Sequence, residues 1–244
     1  MATNDFLTIA GGGGAFVETQ AIFAADAAVL ANGFPAGILT KEKLNKAIRQ
    51  HSIMSAVLAQ FIADRSGANS VDDGTTATLL ANLKLAGAPR IATIRDEKSS
   101  GTSGGTFTAG AWRTRTLNTL TDPTSIVSLA SNQITLQAGT YLINANCPAS
   151  SSELHQARLQ NITDATTTLA GSSEDNNQYA SPNDENVTTR SIINGIFTIA
   201  AAKTFEIQHQ CSVTATSVAA GAGFGLPVSF GISEVYTSVI LQKL

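Results

Sequence analysis

The sequence predicts a mainly β protein with an α-helical N-terminal part. Two patterns support this fold class. In the first third of the chain, apolar residues recur at spacings of three and four, as on one face of a helix. From Ile91 onward they alternate with polar residues, as in strands, and Gly87-Ala88-Pro89 separates the two patterns. We therefore expect a helical segment over residues 1–89 and a strand-built domain over residues 90–244.

Composition excludes several classes of protein. The chain has 244 residues, of which 14% are charged, and a formal net charge of −3, so it offers no basic surface to nucleic acid. No apolar run reaches the roughly 20 residues needed to cross a bilayer. The N-terminus lacks the basic and apolar regions of a signal peptide. We expect a protein made in a cytosol that neither binds nucleic acid nor inserts into a membrane.

Three helices are expected in the N-terminal segment, over residues 20–31, from 41 to about 65, and up to about 86. A threonine precedes each one and can cap its free N–H groups: Thr19, Thr40, and Thr75 or Thr76. The apolar stripe of the long helix is wide enough to pack against other helices and also fits a short coiled-coil seam. Four of its residues are candidates for an interface between chains: Leu44, Ile48, Leu58 and Ile62.

The pattern of the second domain predicts a series of short strands with turn residues between them, which is typical of a β-sandwich. The expected strands cover residues 91–94, 111–117, 134–136, 141–147, 155–162, 191–199, 205–211, 222–232 and 234–244. A sandwich of about 150 residues can bury its own core.

The last of these strands is apolar on both faces. Simple alternation places Val235, Val239 and Leu241 on one side, and Tyr236 and Ile240 on the other. Because neither side is polar, both should be covered. The strand therefore lies inside the sandwich or against another subunit.

Signals for catalysis are weak. Glycoside hydrolysis needs two carboxyl groups about 5 to 10 Å apart. The densest acidic stretch contains Glu174, Asp175, Asp184 and Glu185, and ordinary loop chemistry accounts for it. We expect no enzymatic activity, no catalytic residue and no cofactor.

The histidines and cysteines do not form a recognisable metal pattern. His51 lacks a second ligand one helical turn away, and His155 and His209 each stand alone in a strand pattern. We expect packed or hydrogen-bonded imidazoles. Cys147 and Cys211 lie in phase with apolar residues, so buried thiols are expected rather than a redox pair.

Several short motifs follow one another in a recognisable order. In the helical segment they are Leu-Asn-Lys (44–46), Gln-Phe-Ile-Ala-Asp (60–64) and Asp-Asp-Gly-Thr-Thr-Ala-Thr-Leu-Leu-Ala-Asn-Leu (72–83). In the strand region they are Ile-Arg-Asp-Glu-Lys (94–98), Gly-Gly-Thr-Phe (104–107), Trp-Arg-Thr-Arg-Thr-Leu-Asn (112–118), Leu-Gln-Ala-Gly-Thr-Tyr (136–141) and Glu-Val-Tyr (234–236). In this order the chain resembles bacteriophage tail-fibre proteins. Their C-terminal domain is similar to the trimeric jelly rolls of tumour necrosis factor and of complement globular heads.

The resemblance implies a homotrimeric virion protein of the phage tail, synthesised in the cytoplasm of the bacterial host. Its head would be an antiparallel jelly roll that binds a polysaccharide or protein of the host cell surface. Its N-terminal segment would bind phage tail or baseplate proteins. Two alternatives stay open: an adaptor, baseplate or decoration protein that binds no receptor and, less favoured, a polysaccharide depolymerase. Candidates for the head's trimer interface come from the last strand: Val235, Tyr236, Val239 and Leu241.

The best candidate for a receptor-binding segment is the long polar stretch over residues 172–189. It offers amides that can bind sugar hydroxyls and one aromatic ring on which a pyranose could rest: Asn176, Asn177, Gln178 and Asn183, with Tyr179. We expect attachment to use this segment.

Overall fold

A computed structural model describes residues 2–34, 39–176, 187–215 and 222–244. The chain divides into two compact units, residues 1–88 and 89–244, each with its own internal packing. We call the first the helical unit and the second the head.

The helical unit contains α1 (Gln20–Ala25), α2 (Ala27–Asn32), α3 (Lys41–Ser66) and α4 (Ala77–Gly87). The single helix expected over residues 20–31 is two helices, because Asp26 ends α1 and its side chain then caps α2 by accepting from the N–H of Val29. Thr19 and Thr40 cap their helices as predicted, whereas Thr76 makes no side-chain capping bond. No helix in the described part of the chain is long and apolar enough to cross a membrane.

The predicted seam of the long helix needs correction at one end. Ile62 is only 1% exposed and lines a small cavity of about 140 Å³ with Phe6 and Leu79, so it belongs to the unit's own core. Leu44 and Leu58 are exposed, and Ile48 is partly buried. The N-terminal arm explains the difference, because Asn4 donates to the carbonyl of Ala56 and pairs with Ser70, which places the arm along α3.

The head contains eleven strands within the described residues. They are β1 (Ile91–Lys98), β2 (Arg113–Thr114), β3 (Thr119–Thr121), β4 (Val127–Ala130), β5 (Gln133–Leu136), β6 (Gly139–Ser150), β7 (Leu154–Asn161), β8 (Thr166–Asp175), β9 (Thr188–Ile199), β10 (Lys203–Cys211) and β11 (Glu234–Lys243). They form a five-stranded sheet with the order β3-β1-β11-β6-β9 and a six-stranded sheet with the order β4-β5-β10-β7-β8, in which β2 also pairs with β10.

Strand order defines the architecture. From β5 onward the chain mostly alternates between the two sheets, and every pairing is antiparallel. The strands β1, β11, β6 and β9 of one sheet, with β5, β10, β7 and β8 of the other, form the eight-stranded pattern of a jelly roll. The predicted antiparallel jelly-roll sandwich is present. Its core lies between the sheets and is built from alternate residues of their strands, among them Tyr141, Ile143, Ile193, Phe205, Ile207 and Val239.

The orientation of the last strand differs from the sequence prediction. Arg95 of β1 pairs with Ser238, but Glu97 pairs with Val235, so β11 carries one extra residue at this point. Such a bulge shifts the phase of the side chains. As a result Tyr236 and Thr237 are both buried, while Val235 is exposed.

Three of the four predicted interface residues of the head are therefore internal. Val239 and Leu241 lie in the core between the sheets. Tyr236 is buried, and its hydroxyl donates to the carbonyl of Thr102 at 2.6 Å. The expectation that they face a second chain was wrong, because Val239 and Leu241 lie on the core side of β11 and the bulge turns Tyr236 inward. Val235 alone of the four is exposed.

Two further expectations were wrong. The run over residues 111–117 forms a strand only at Arg113–Thr114, because Arg115 turns its side chain into the interior. The region over 222–232 forms no strand where it is described. Phe224 packs inward against Phe107 there, which places Gly225 against the ring of Tyr236.

Gly225 gives a test of this packing. Its φ of +144° disfavours any side chain, and an added Cβ would overlap the ring of Tyr236. We expect Gly225→Ala to lower the free energy of unfolding by about 3 kcal/mol, from strain and overpacking together. Gly110 is a matched control, because its φ is +86° but no atom lies within 4 Å of the added Cβ. Gly110→Ala should cost about 1 kcal/mol. Equal losses in urea unfolding would contradict the proposed contact.

Candidate functional site

The outward side of the five-stranded sheet exposes five large apolar side chains, each between 38% and 60% exposed. We call this set the apolar face: Ile91, Ile192, Ile196, Val235 and Ile240. Ile240 pairs across the sheet with Asn144, and Ile192 pairs with Asn146. The surface is therefore apolar but carries amides between its isoleucines. Single exposed apolar residues are common, whereas several on one sheet face indicate an interaction surface.

No protein-family model and no curated protein matches the sequence. Among solved structures, the chain is similar to one described as the globular domain of zebrafish complement 1qA protein. The identity is 14%, the match covers 64% of this chain and 96% of that one, and the TM-score is 0.36. The jelly-roll assignment therefore rests on the strand order given above.

A buried arginine organises one end of the sandwich. Arg115 is fully buried, and its guanidinium donates to the hydroxyl of Thr237 at 2.7 Å and to the carbonyls of Pro148 and Phe224 at 3.0 and 3.1 Å. It also stacks on the Phe224 ring at 4.0 Å. Burial lowers the pKa of Arg115 to about 10, which leaves it charged at neutral pH. The side chain thus links β6, β11 and the loop before β11.

Two histidines meet beside this arginine. Nδ1 of His155 lies 3.0 Å from Nε2 of His209, and Nε2 of His155 lies 2.7 Å from the hydroxyl of Thr189. Sequence reasoning treated the two imidazoles as separate, since only the pairing of β7 with β10 brings them together. Nδ1 of His209 is buried without a hydrogen-bond partner among the described residues. Those residues also hold no group of three or more metal-ligating side chains.

Burial keeps this histidine pair neutral. It lowers the pKa of His155 to about 4, with a smaller opposing effect from Glu174. It lowers the pKa of His209 well below its usual value, and the charges of Arg115 and His155 act in the same direction. The two cysteines are buried thiols, as expected, and burial raises the pKa of each to about 11. All four side chains are buried, at 4% exposure or less.

The predicted receptor segment is only partly described. β8 extends into it as far as Asp175, and β9 begins at Thr188. Asn176 is only 1% exposed: its Oδ1 accepts from the N–H of Ser152 at 2.8 Å, and its Nδ2 donates to the carbonyl of Ala149 at 2.8 Å. Its amide therefore holds the turn after β6 and is not offered to a receptor. The other four candidates lie outside the described residues: Asn177, Gln178, Tyr179 and Asn183.

A groove of about 520 Å³ opens at the start of the same segment, on the outward side of the six-stranded sheet. We call it the Trp112 groove. Its lining comes from the residue before β2, from β7, from the end of β8 and from the end of β10, and includes Trp112, Leu154, Gln156, Ser173, Gln210 and Ser212. These residues are far apart in sequence. The motif around Trp112 is visible in the sequence, but no sequence pattern links it to the strands that line the rest of the groove.

The histidine pair gives a prediction for acid stability. The unfolded imidazoles have a pKa near 6.5, and the folded ones lie lower, so the unfolded state takes up protons first as pH falls. The stabilisation should be complete above about pH 6.5 and decline toward pH 4. We expect a loss of about 1 to 3 kcal/mol between pH 7.5 and 4.5. Urea unfolding followed by the fluorescence of Trp112, the single tryptophan, measures this for the head.

Three carboxyl groups also affect how the stability changes with pH. Asp164 and Glu234 have lowered pKa values, so their stabilisation is lost only below about pH 4.5. Burial raises the pKa of Asp96, which acts in the opposite direction to the histidines. His155→Gln should flatten the pH dependence, whereas His51→Gln, at an exposed position of α3, should leave it unchanged. A wild-type stability that is constant from pH 7.5 to 4.5 would refute the assignment.

Proposed function

We propose that this chain is a phage tail-fibre protein, a homotrimeric virion protein that attaches the particle to the surface of its bacterial host. The observation that carries the proposal is the apolar face of the head. The order of the tail-fibre motifs and the jelly-roll topology support it. The head would bind a host polysaccharide or protein, and the helical unit would bind phage tail or baseplate proteins.

The apolar face supports assembly on energetic grounds. Complete burial of a valine or isoleucine side chain stabilises by about 1.5 to 3 kcal/mol. The five side chains of the apolar face are already about half buried, so each would contribute roughly half of this on association in water. A closed symmetric interface can bury the same face of every copy. The asparagines on this face can form hydrogen bonds to a neighbouring copy. The resemblance to tail-fibre proteins implies three chains per assembly. The apolar face supports association of identical chains without fixing their number.

The helical unit has its own unpartnered stripe. Met54, Val57 and Phe61 on α3 are 45% to 67% exposed and lie at spacings of three and four residues. This is the spacing of a helix–helix seam. Leu58, one of the four candidates from the sequence, is 50% exposed and lies beside this stripe. We assign it to contacts with other copies or with the tail.

The alternatives differ in what the head touches. A structural adaptor would assemble in the same way without binding cells. A depolymerase would need two suitably spaced carboxyl groups. Glu174 and Asp175 line the Trp112 groove, but Glu174 already accepts a hydrogen bond from the hydroxyl of Ser172 at 2.6 Å. Release of reducing sugar from host polysaccharide would favour the depolymerase.

Charge on the apolar face should prevent assembly. We expect the wild-type chain to have three times the mass of one chain by light scattering, and Ile240→Lys with Ile196→Lys to be monomeric, because the interface would bury two cations. Leu154→Lys is the matched control, since Leu154 is equally exposed but lies on the other sheet. It should remain trimeric. If light scattering shows that the wild-type protein is a monomer, the proposed trimeric assembly is wrong.

Attachment can be measured directly. We expect the labelled full-length protein to bind host bacteria and to slow phage adsorption in competition. A chain lacking residues 1–88 should still bind cells, because the head has its own core, but should not be incorporated into particles. Assembly into particles without any binding to host cells would favour the adaptor.

A further inference from the structure

We propose that the Trp112 groove binds a sugar ring of the host surface polysaccharide, and that it selects neutral or amine-bearing sugars over acidic ones. The source of the sugar rests on the proposed attachment function. The site itself rests on the arrangement of the side chains that line the groove.

Strand register places three polar side chains of the groove in a row. Gln156 on β7 pairs with Ser173 on β8 on one side and with Gln210 on β10 on the other. Residues paired across antiparallel strands point to the same side of a sheet. The row therefore presents two amides and one hydroxyl at the spacing of adjacent strands, about 4.8 Å. Nε2 of Gln156 donates to the carbonyl of Gly171 at 2.8 Å, which fixes this amide and leaves its oxygen to accept from a sugar hydroxyl.

A second row lies one strand repeat away. Leu154 pairs with Asp175, and the N–H of Ser212 donates to the carbonyl of Leu154 at 2.8 Å. Leu154 is 62% exposed, an unusual position for a leucine in the middle of polar neighbours. The two rows together form a patch of about 10 by 7 Å, wide enough for one or two sugar rings. Such rings combine apolar C–H faces with hydroxyl rims, which matches a patch of one apolar centre and polar edges.

Trp112 supplies a fixed aromatic wall. The guanidinium of Arg158 lies 4.1 Å from the centre of its ring and covers one face. Arg158 is held in turn, because it donates to Oε1 of Gln208 at 2.8 and 3.1 Å and to the hydroxyl of Thr167 at 3.0 Å. The rest of the indole lines the groove and is open to a ligand. An aromatic ring that is already ordered loses little conformational entropy when a ligand binds.

Charge decides between classes of sugar. Glu174 and Asp175 both line the groove, and none of its described lining residues is lysine or arginine. Two arginines of this sheet lie nearby: Arg158 stacks behind the indole, and Arg113 donates to the carbonyls of Thr108 and Ala109. Acidic sugars would bring a carboxylate toward two others and be repelled, whereas an amino sugar would be attracted. The structure thus favours neutral and amino sugars.

Because Trp112 is the single tryptophan and lines the groove, its fluorescence can report ligand binding there. The full-length protein is titrated with short oligomers of glucose, N-acetylglucosamine, glucosamine and galacturonic acid, and the emission of Trp112 is followed. We expect a saturable change with the neutral or amino sugars and an affinity at least tenfold lower for the uronic acid. Gln156→Ala should weaken binding three- to tenfold, the effect of one hydrogen bond. Ser128→Ala, at an exposed position of β4 on the same sheet, should have no effect.

A second readout does not depend on the tryptophan. Binding of Trp112→Ala to host cells is compared with that of the wild type, after circular dichroism and light scattering show that the variant is folded and assembled. We expect a loss of at least tenfold. Trp112→Phe should recover part of it, because a smaller ring still offers a face.

Each failure has a distinct meaning. If no sugar changes the emission, or if the uronic acid binds most tightly, the proposed ligand class is wrong. If folded Trp112→Ala binds cells as well as the wild type, the groove is not the receptor site, although attachment stands. If oligosaccharides bind but host cells do not, the groove is a sugar site and the attachment function fails.

Discussion

One end of the sandwich depends on the buried guanidinium of Arg115. An uncompensated charge in a protein interior costs several kcal/mol, so each of the three guanidinium nitrogens needs a hydrogen-bond acceptor. Its hydrogen bonds to Pro148, Thr237 and Phe224 meet this requirement and join parts of the chain that are far apart in sequence. The same charge adds to burial in lowering the pKa of His209. Loss of Arg115 would remove the guanidinium donors from the carbonyls of Pro148 and Phe224 and leave the loop that contains Phe224 held by fewer hydrogen bonds.

Local patterns in the sequence predicted the parts of the fold that local physics controls. Alternation located most of the long strands, and Thr19 and Thr40 marked two helix starts. The errors arise where tertiary packing overrides a local pattern. The bulge at Tyr236 and Thr237 depends on the partner strand and leaves no signal in β11 itself. The meeting of two histidines, and the convergence of four elements around Trp112, likewise depend on the order of strands in a sheet, which no single segment contains.

The two sheets of the head differ in the character of their outward sides. The five-stranded sheet presents isoleucines, whereas the six-stranded sheet presents glutamine, serine and carboxylate side chains around Trp112. If identical chains associate through the first sheet, the groove of every copy stays accessible on the second. Several weak sugar contacts on one particle would then act together, because each bound groove raises the effective concentration of the next. Modest affinity at each groove is enough for firm adhesion under this arrangement.

The pairing of β1 with β11 also has a kinetic consequence. Ile91 pairs with Gln242, a separation of 242 − 91 = 151 residues. A contact between such distant residues forms late and slows folding, because the intervening loop must close first. During synthesis the edge of β1 that pairs with β11 therefore stays open, although β3 can already pair with the other edge, and an open edge is a hazard for aggregation. The second half of β1 is Arg95-Asp96-Glu97-Lys98, a run of four charges that discourages pairing with a wrong strand while the correct one is still being made.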